Sequence, residues 1–170
     1  ESELNSMGAN GDLSIENTLD TKTFDASAFA GENLTVRAAS ELQTLSANVA
    51  ANVNFTSTTA AAENVYTTGS GDDELTTTVN GDDVDTISES FTANTNGGDD
   101  KVTITMDNAD ATPNEVSYNT MDELENLSIS TGAGEDYVDL NAYGTFEIET
   151  GAGSDFVRIN STGRERDLEG

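Results

Sequence analysis

Thr131-Gly132-Ala133-Gly134-Glu135-Asp136-Tyr137-Val138-Asp139 is followed nineteen residues later by Thr150-Gly151-Ala152-Gly153-Ser154-Asp155-Phe156-Val157-Arg158. The match extends outward: 126–144 aligns without gaps on 145–163, with Ile129/Ile148, Asn141/Asn160 and Gly144/Gly163 also identical. Each copy holds two short alternating runs separated by turn residues, the pattern of half-buried strands. Leu127 and Ile129 share one face before the first turn, and Val138 and Leu140 share one after it; Phe146, Ile148, Val157 and Ile159 repeat this. A supersecondary unit recurring at a fixed period reads as stacked coils. The expectation is an all-β chain: a parallel β-roll or β-solenoid with two short strands per coil of about 19 residues and Gly/Asp turns. Stacking in register predicts outward ladders, Tyr137 under Phe156 and Asp139 under Arg158.

The same grammar continues upstream in looser form. Gly69-Ser70-Gly71-Asp72-Asp73-Glu74-Leu75 carries the whole turn, and Asn96-Gly97-Gly98-Asp99-Asp100-Lys101-Val102 carries it with Asn96 for the first glycine. Asparagine tolerates positive φ better than most residues, so that exchange is mild. Asn80-Gly81-Asp82-Asp83-Val84-Asp85 is a more degenerate copy. Leu34-Thr35-Val36 and Val53-Asn54-Phe55 keep the nineteen-residue spacing without glycine turns. Ser40-Glu41-Leu42-Gln43 has the form of a helix capping box, with Leu42, Leu45 and Val49 at helical spacing. The surrounding Thr, Asn and Val favour strands instead. Asp107 to Glu115, with the only proline, Pro113, reads as a loop. The expected organisation is a degenerate β-rich part over 1–60, a Gly/Asp-turn roll over 61–163, and a tail or cloning remnant over 164–170.

Of the 170 residues, 34% are hydrophobic, below the roughly 45–50% of ordinary globular chains, so the core is thin. Thirty-three acidic residues face six basic ones, a formal net charge of −27. Such self-repulsion opposes compaction unless cations relieve it. Nucleic acids and anionic membranes are excluded as partners, because almost nothing here could neutralise them. Composition alone also fits a disordered chain or an acidic surface coat; the repeats weigh against disorder. Cysteine and histidine are absent, leaving only oxygen ligands for a metal. The sequence starts at Glu1 without a signal peptide or apolar span, which reads as a piece of something longer.

The recurring Gly-x-Gly-x-Asp-x-(apolar) unit suits a hard cation. Glycines let carbonyl oxygens approach, the aspartate adds an anionic oxygen, and stacked turns supply oxygens from above and below, as calcium's six to eight ligands require. Magnesium, with its strict octahedron, fits such a cage less well. The competing reading is that Gly-Asp clusters are ordinary hairpin turns; three complete copies favour calcium.

These turns resemble the nonapeptide Gly-Gly-x-Gly-x-Asp-x-(apolar)-x of the repeats-in-toxin (RTX) family, with Thr131 and Thr150 in place of the first glycine. Thr23-Phe24-Asp25-Ala26-Ser27-Ala28-Phe29-Ala30-Gly31-Glu32-Asn33-Leu34-Thr35-Val36 is similar to a segment of calcium-dependent bacterial surface-layer proteins and large secreted adhesins. Asp122-Glu123-Leu124-Glu125-Asn126-Leu127-Ser128-Ile129 looks like the strand leading into their turns. The resemblance implies secretion without a cleaved N-terminal signal, and folding driven by extracellular calcium. Carried over residue by residue, it implies Asp73, Asp100, Asp136 and Asp155 as side-chain ligands. Gly69, Gly71, Gly98, Gly132, Gly134, Gly151 and Gly153 become backbone donors for a few Ca2+ ions. Asp72, Asp83, Asp85 and Asp99 are further candidates.

Three functions compete. The first is a structural module of a bacterial surface layer or cell-surface matrix, folded by calcium and self-associating into a lattice or filament, with a cell-surface glycan as a further partner. The second is a calcium module of a secreted adhesin, toxin or polysaccharide-modifying enzyme. The third is an enzyme of the parallel β-helix lyase type. That chemistry needs cations lining a groove, whereas Lys22, Arg37 and Lys101 are scattered and Arg158, Arg164 and Arg166 lie near the C-terminus. No enzymatic activity is expected, and carboxylate pairs in so acidic a chain carry no weight for glycoside hydrolysis.

Overall fold

The computed structural model describes residues 11–16, 22–38, 42–59, 63–80, 89–107, 124–142 and 144–160. They form strands and turns only, in two parallel sheets. One holds seven strands: β1 (Leu13–Glu16), β3 (Asn33–Ala38), β5 (Asn52–Thr59), β7 (Glu74–Asn80), β9 (Lys101–Asp107), β11 (Tyr137–Asn141) and β13 (Phe156–Ile159). The other holds six, β2 (Thr23–Asp25), β4 (Thr44–Ser46), β6 (Glu63–Thr67), β8 (Glu89–Asn94), β10 (Leu124–Ser130) and β12 (Gly144–Glu149). The chain alternates between the sheets, so each strand pairs with the next but one.

The alternating runs decide which side chains meet. In the seven-stranded sheet Ile15, Val36, Phe55, Leu75, Val102, Val138 and Val157 form one inward column. In the other, Phe24, Leu45, Tyr66, Ala93, Ile129 and Ile148 form its counterpart. Successive inward residues of one strand are buried and those between them largely open, as in the eBeBi pattern of β6, because side chains alternate faces along a strand. Mid-stack, Tyr66 meets Phe55 and Phe91 edge to face, with centroids 4.8 and 5.2 Å away. Its hydroxyl donates to the Leu42 carbonyl at 3.1 Å, giving the buried phenol the polar partner it needs.

Equivalent positions are 21, 19, 20, 27, 36 and 19 residues apart along the stack. The two long intervals span 81–88 and 108–123, between β7 and β8 and between β9 and β10. After an irregularity at the start of β10, between Leu124 and Asn126, the inward faces are aligned again, because a one-residue slip carried along the strand would turn every inward side chain outward. Both expected outward ladders form. Tyr137 and Phe156 stack at 5.3 Å and 7°, and Arg158 Nε donates to Asp139 Oδ1 at 2.9 Å while Nη2 pairs with Oδ2.

Over 42–49 the chain forms strand only at Thr44–Ser46 (β4), with irregular backbone on both sides, and Leu42 and Leu45 are buried. Ser40 and Glu41 of the capping-box alternative lie outside the described residues. Of the expected loop from Asp107 to Glu115, Asp107 ends β9 and 108–115 lie outside them. β5 and β7, which lie on either side of residues 60–62 in the sequence, pair from Asn54/Glu74 to Thr59/Val79.

Candidate metal centre

Four crossings lead from the six-stranded to the seven-stranded sheet through a Gly/Asp turn: 68–73, 95–100, 131–136 and 150–155. Strand register makes them a stack of like positions. Two columns require the residues they have. Asn96, Gly132 and Gly151 take φ of 66°, 92° and 76°, in the left-handed region open to glycine and tolerated by asparagine. Gly71, Gly98, Gly134 and Gly153 press on the backbone below, where any Cβ would collide with the carbonyl oxygen of Ala51, Gly71, Gly98 and Gly134 respectively.

The aspartates form two ladders running in opposite directions. On the outside, Asn52 Oδ1 accepts the Asp72 N–H at 3.0 Å, Asp72 Oδ1 that of Asp99 at 2.9 Å, and Asp99 Oδ1 that of Glu135 at 2.9 Å. On the inside each carboxylate reaches back. Asp73 Oδ1 accepts from Val53 N–H at 2.8 Å, and Asp100 Oδ1 from Asp73 N–H at 2.9 Å. Asp136 Oδ1 accepts from Asp100 N–H at 2.9 Å, and Asp155 Oδ1 from Asp136 N–H at 3.2 Å. The inner carboxylates therefore accept from the N–H of the coil below, at Val53 in β5 and at Asp73, Asp100 and Asp136 in the turns, giving these backbone donors the partner that burial requires.

Their second oxygens differ. Asp136 Oδ2 accepts from the Thr131 hydroxyl at 2.7 Å, whereas the buried Asp73 Oδ2 and Asp100 Oδ2 have no partner, nor has Thr68 Oγ1. Burial pushes the Asp73 carboxyl up to about 6, with the Asp100 charge adding to it; the nearby Thr68 hydroxyl and the Val53 and Gly69 N–H groups pull the other way. Thr68 thus lies close enough to favour the charged form without completing a hydrogen bond. Asp100 is likewise pushed up to about 6 by burial, aided by Asp136 and Asp72 and opposed by Thr95 and the Asp73 N–H. Like charges one strand spacing apart repel by roughly 3 kcal/mol at an effective dielectric of about 20. Among the described residues the ion pairs are Lys101–Glu74 and Arg158–Asp139, and neither reaches this column.

Of the fifteen residues the sequence pointed to, the turns bring the inner and outer aspartates and all seven glycines into aligned columns. Asp83 and Asp85 lie outside the described residues. Sequence reading passed over the threonines. Thr68, Thr95 and Thr131 are fully buried at the turn entrance, five residues before each inner aspartate, and that constant offset was the available signal. The donors are all oxygen, the set a hard cation takes, and two inner carboxylate oxygens are free to accept one. Among the described residues no three acidic side chains converge tightly enough to enclose an ion by themselves, so a bound ion would also draw on carbonyl oxygens or water. Comparison with known proteins finds no matching family model, no matching curated protein and no matching solved structure.

Proposed function

We propose that the two sheets are the faces of a parallel β-roll and that its Gly/Asp turns take up calcium, making the chain a calcium-dependent, extracellular structural module of a bacterial surface layer or cell-surface matrix. The observation that carries this reading is the column Asp73, Asp100, Asp136 and Asp155. It is an inward line of carboxylates, two with an unpartnered oxygen, in a chain of net charge −27. Buried charge without a counterpart is costly, and a divalent cation bound only by the folded state supplies the counterpart and stabilises the fold. In this reading Asp73, Asp100, Asp136 and Asp155 hold the ions with glycine carbonyls of the same turns, and Thr68, Thr95 and Thr131 position the carboxylates. Calcium contributes charge neutralisation and cross-linking between coils, and the protein performs no catalysis.

Circular dichroism in chelator and then in millimolar calcium is the deciding measurement. The strand signal should fall in chelator, as the coils with Gly/Asp turns loosen, and return with calcium. A strand signal and melting temperature untouched by either would end the proposal.

A further inference from the structure

Asn96 fills a position that is glycine, Gly132 and Gly151, in the next turns of its column, and an asparagine there brings chemistry that a glycine lacks. It stands directly before Gly97, and it is exposed, so water reaches it. In an Asn-Gly pair the glycine nitrogen can attack the asparagine side chain with little hindrance, because no Cβ shields its approach.

The turn holds both reacting groups. Asn96 Nδ2 donates to the Thr68 carbonyl oxygen at 2.6 Å; a carbonyl only accepts, so the amide nitrogen is the atom that faces it. The Gly97 N–H donates to the Thr95 carbonyl oxygen at 2.9 Å and to the Gly69 carbonyl oxygen at 3.3 Å. The bond from Gly97 back to Thr95, with Asn96 between them at φ 66°, closes a γ-turn of the strained hand. Leaving group and nucleophile are thus tied to main-chain oxygens, Thr68 and Gly69 belonging to the turn below. The coil above presses on the same residue: a Cβ added at Gly132 would collide with the Asn96 carbonyl oxygen.

We infer that Asn96-Gly97 is a self-modification site that the folded turn keeps dormant and that opening of the 95–100 turn sets off. A bond forms between the Gly97 nitrogen and Asn96 Cγ, the Cγ–Nδ2 bond breaks, and the Gly97 N–H proton departs with the amide as ammonia. Water then opens the succinimide. Cleavage at Cγ leaves aspartate; cleavage at the Asn96 carbonyl carbon leaves isoaspartate, with the main chain rerouted through the side chain. Neither product restores the turn. Aspartate puts a carboxylate against the Thr68 carbonyl oxygen, where a donor stood, and isoaspartate lengthens the backbone at a step whose neighbours above and below are in contact. Opening of this coil therefore leaves a covalent record. The inference needs the folded turn and not the ion that stabilises it.

The test is peptide mass analysis of the 170-residue chain held at mildly alkaline pH, once in a buffer that gives the full strand signal and once in urea. Asn-Gly also occurs at 10–11 and 80–81, so fragmentation assigns each change to its residue. Conversion of Asn96 should be at least about tenfold slower in the folded chain than in urea, because reaction through an open state tracks how rarely that state is populated. Urea should yield isoaspartate beside aspartate, the mark of a succinimide. Gly132→Ala, which drives a Cβ onto the Asn96 carbonyl oxygen, should speed conversion in the folded chain and leave the rate in urea unchanged. Asn96→Asp, which installs one product without the reaction, should melt below wild type; it and the wild-type rates decide the matter should Gly132→Ala lose its strand signal. Equal wild-type rates in the two conditions, aspartate as the sole product in urea, a folded Gly132→Ala that converts no faster, or Asn96→Asp that melts with wild type would each overturn the inference.

Discussion

One inward column runs the length of the seven-stranded sheet and changes character halfway. It reads Leu13, Leu34 and Val53 in the first three coils, then Asp73, Asp100, Asp136 and Asp155 in the next four. Leu34 and Val53 are 0% and 1% exposed, Asp73, Asp100 and Asp136 each 2%. Equal burial has opposite consequences. An aliphatic side chain there stabilises under all conditions, by roughly 1.5–3 kcal/mol. A carboxylate stabilises only if something neutralises it. The N-terminal coils are built to fold unconditionally, whereas the C-terminal coils are built to respond to their medium.

The strongest way to break this comparison is to damage the unconditional part. Phe55→Ala opens a cavity beside Tyr66 and should cost about 3–5 kcal/mol with calcium or without. A loss seen by chemical denaturation only with calcium present would show that the N-terminal coils lean on the ion as well. Next come the charges. Asp73→Asn and Asp100→Asn keep an Oδ1 acceptor for the Val53 and Asp73 N–H groups while removing the buried charge. Each should stabilise the metal-free protein at neutral pH by about 1–2 kcal/mol, the worth of the shift reduced for partial solvent screening, and shrink the further gain from calcium. Asp136→Ala does the reverse: it leaves the Asp100 N–H without its acceptor, costs about 1–3 kcal/mol, and should raise the calcium concentration at the folding midpoint.

Acidity sharpens the contrast. Asp73 and Asp100 sit at about 6 in the folded chain against an ordinary 3.8, so between those values the folded state binds more protons than the unfolded one. Their contribution is fully present below about pH 4 and lost as pH rises through about 6. Metal-free protein should therefore melt higher at pH 5 than at pH 7, and the Asp73→Asn/Asp100→Asn double variant should flatten that slope. Asp139, one turn away, behaves oppositely, because hydrogen bonding to the Arg158 guanidinium holds its carboxyl below the usual range. That pair is partly exposed, so Arg158→Ala should have the smallest effect of the set in thermal melts, and less still in high salt.

Much of this was legible beforehand. Identical residues at 126–144 and 145–163 set the coil length, the glycine positions and the Tyr137/Phe156 and Asp139/Arg158 ladders, because each is local to two neighbouring repeats. The aspartates too were visible as turn residues. Their hydrogen bonding was not: reaching back to the N–H of the coil below depends on which coil lies below, and after Asp100 that partner is 36 residues away. The threonine column was hidden for a similar reason. Thr131 reads as a substituted glycine until the turn folds its hydroxyl onto Asp136 five residues later.

By itself, then, the amino-acid order determined period, strand polarity, turn glycines and the acidic excess, all of which follow from spacing and composition within a repeat. Only the tertiary structure decided that Leu34, Val53, Asp73 and Asp100 share one buried line. Register across insertions of unequal length is chosen by the inward faces packing together, and spacing along the chain does not encode it.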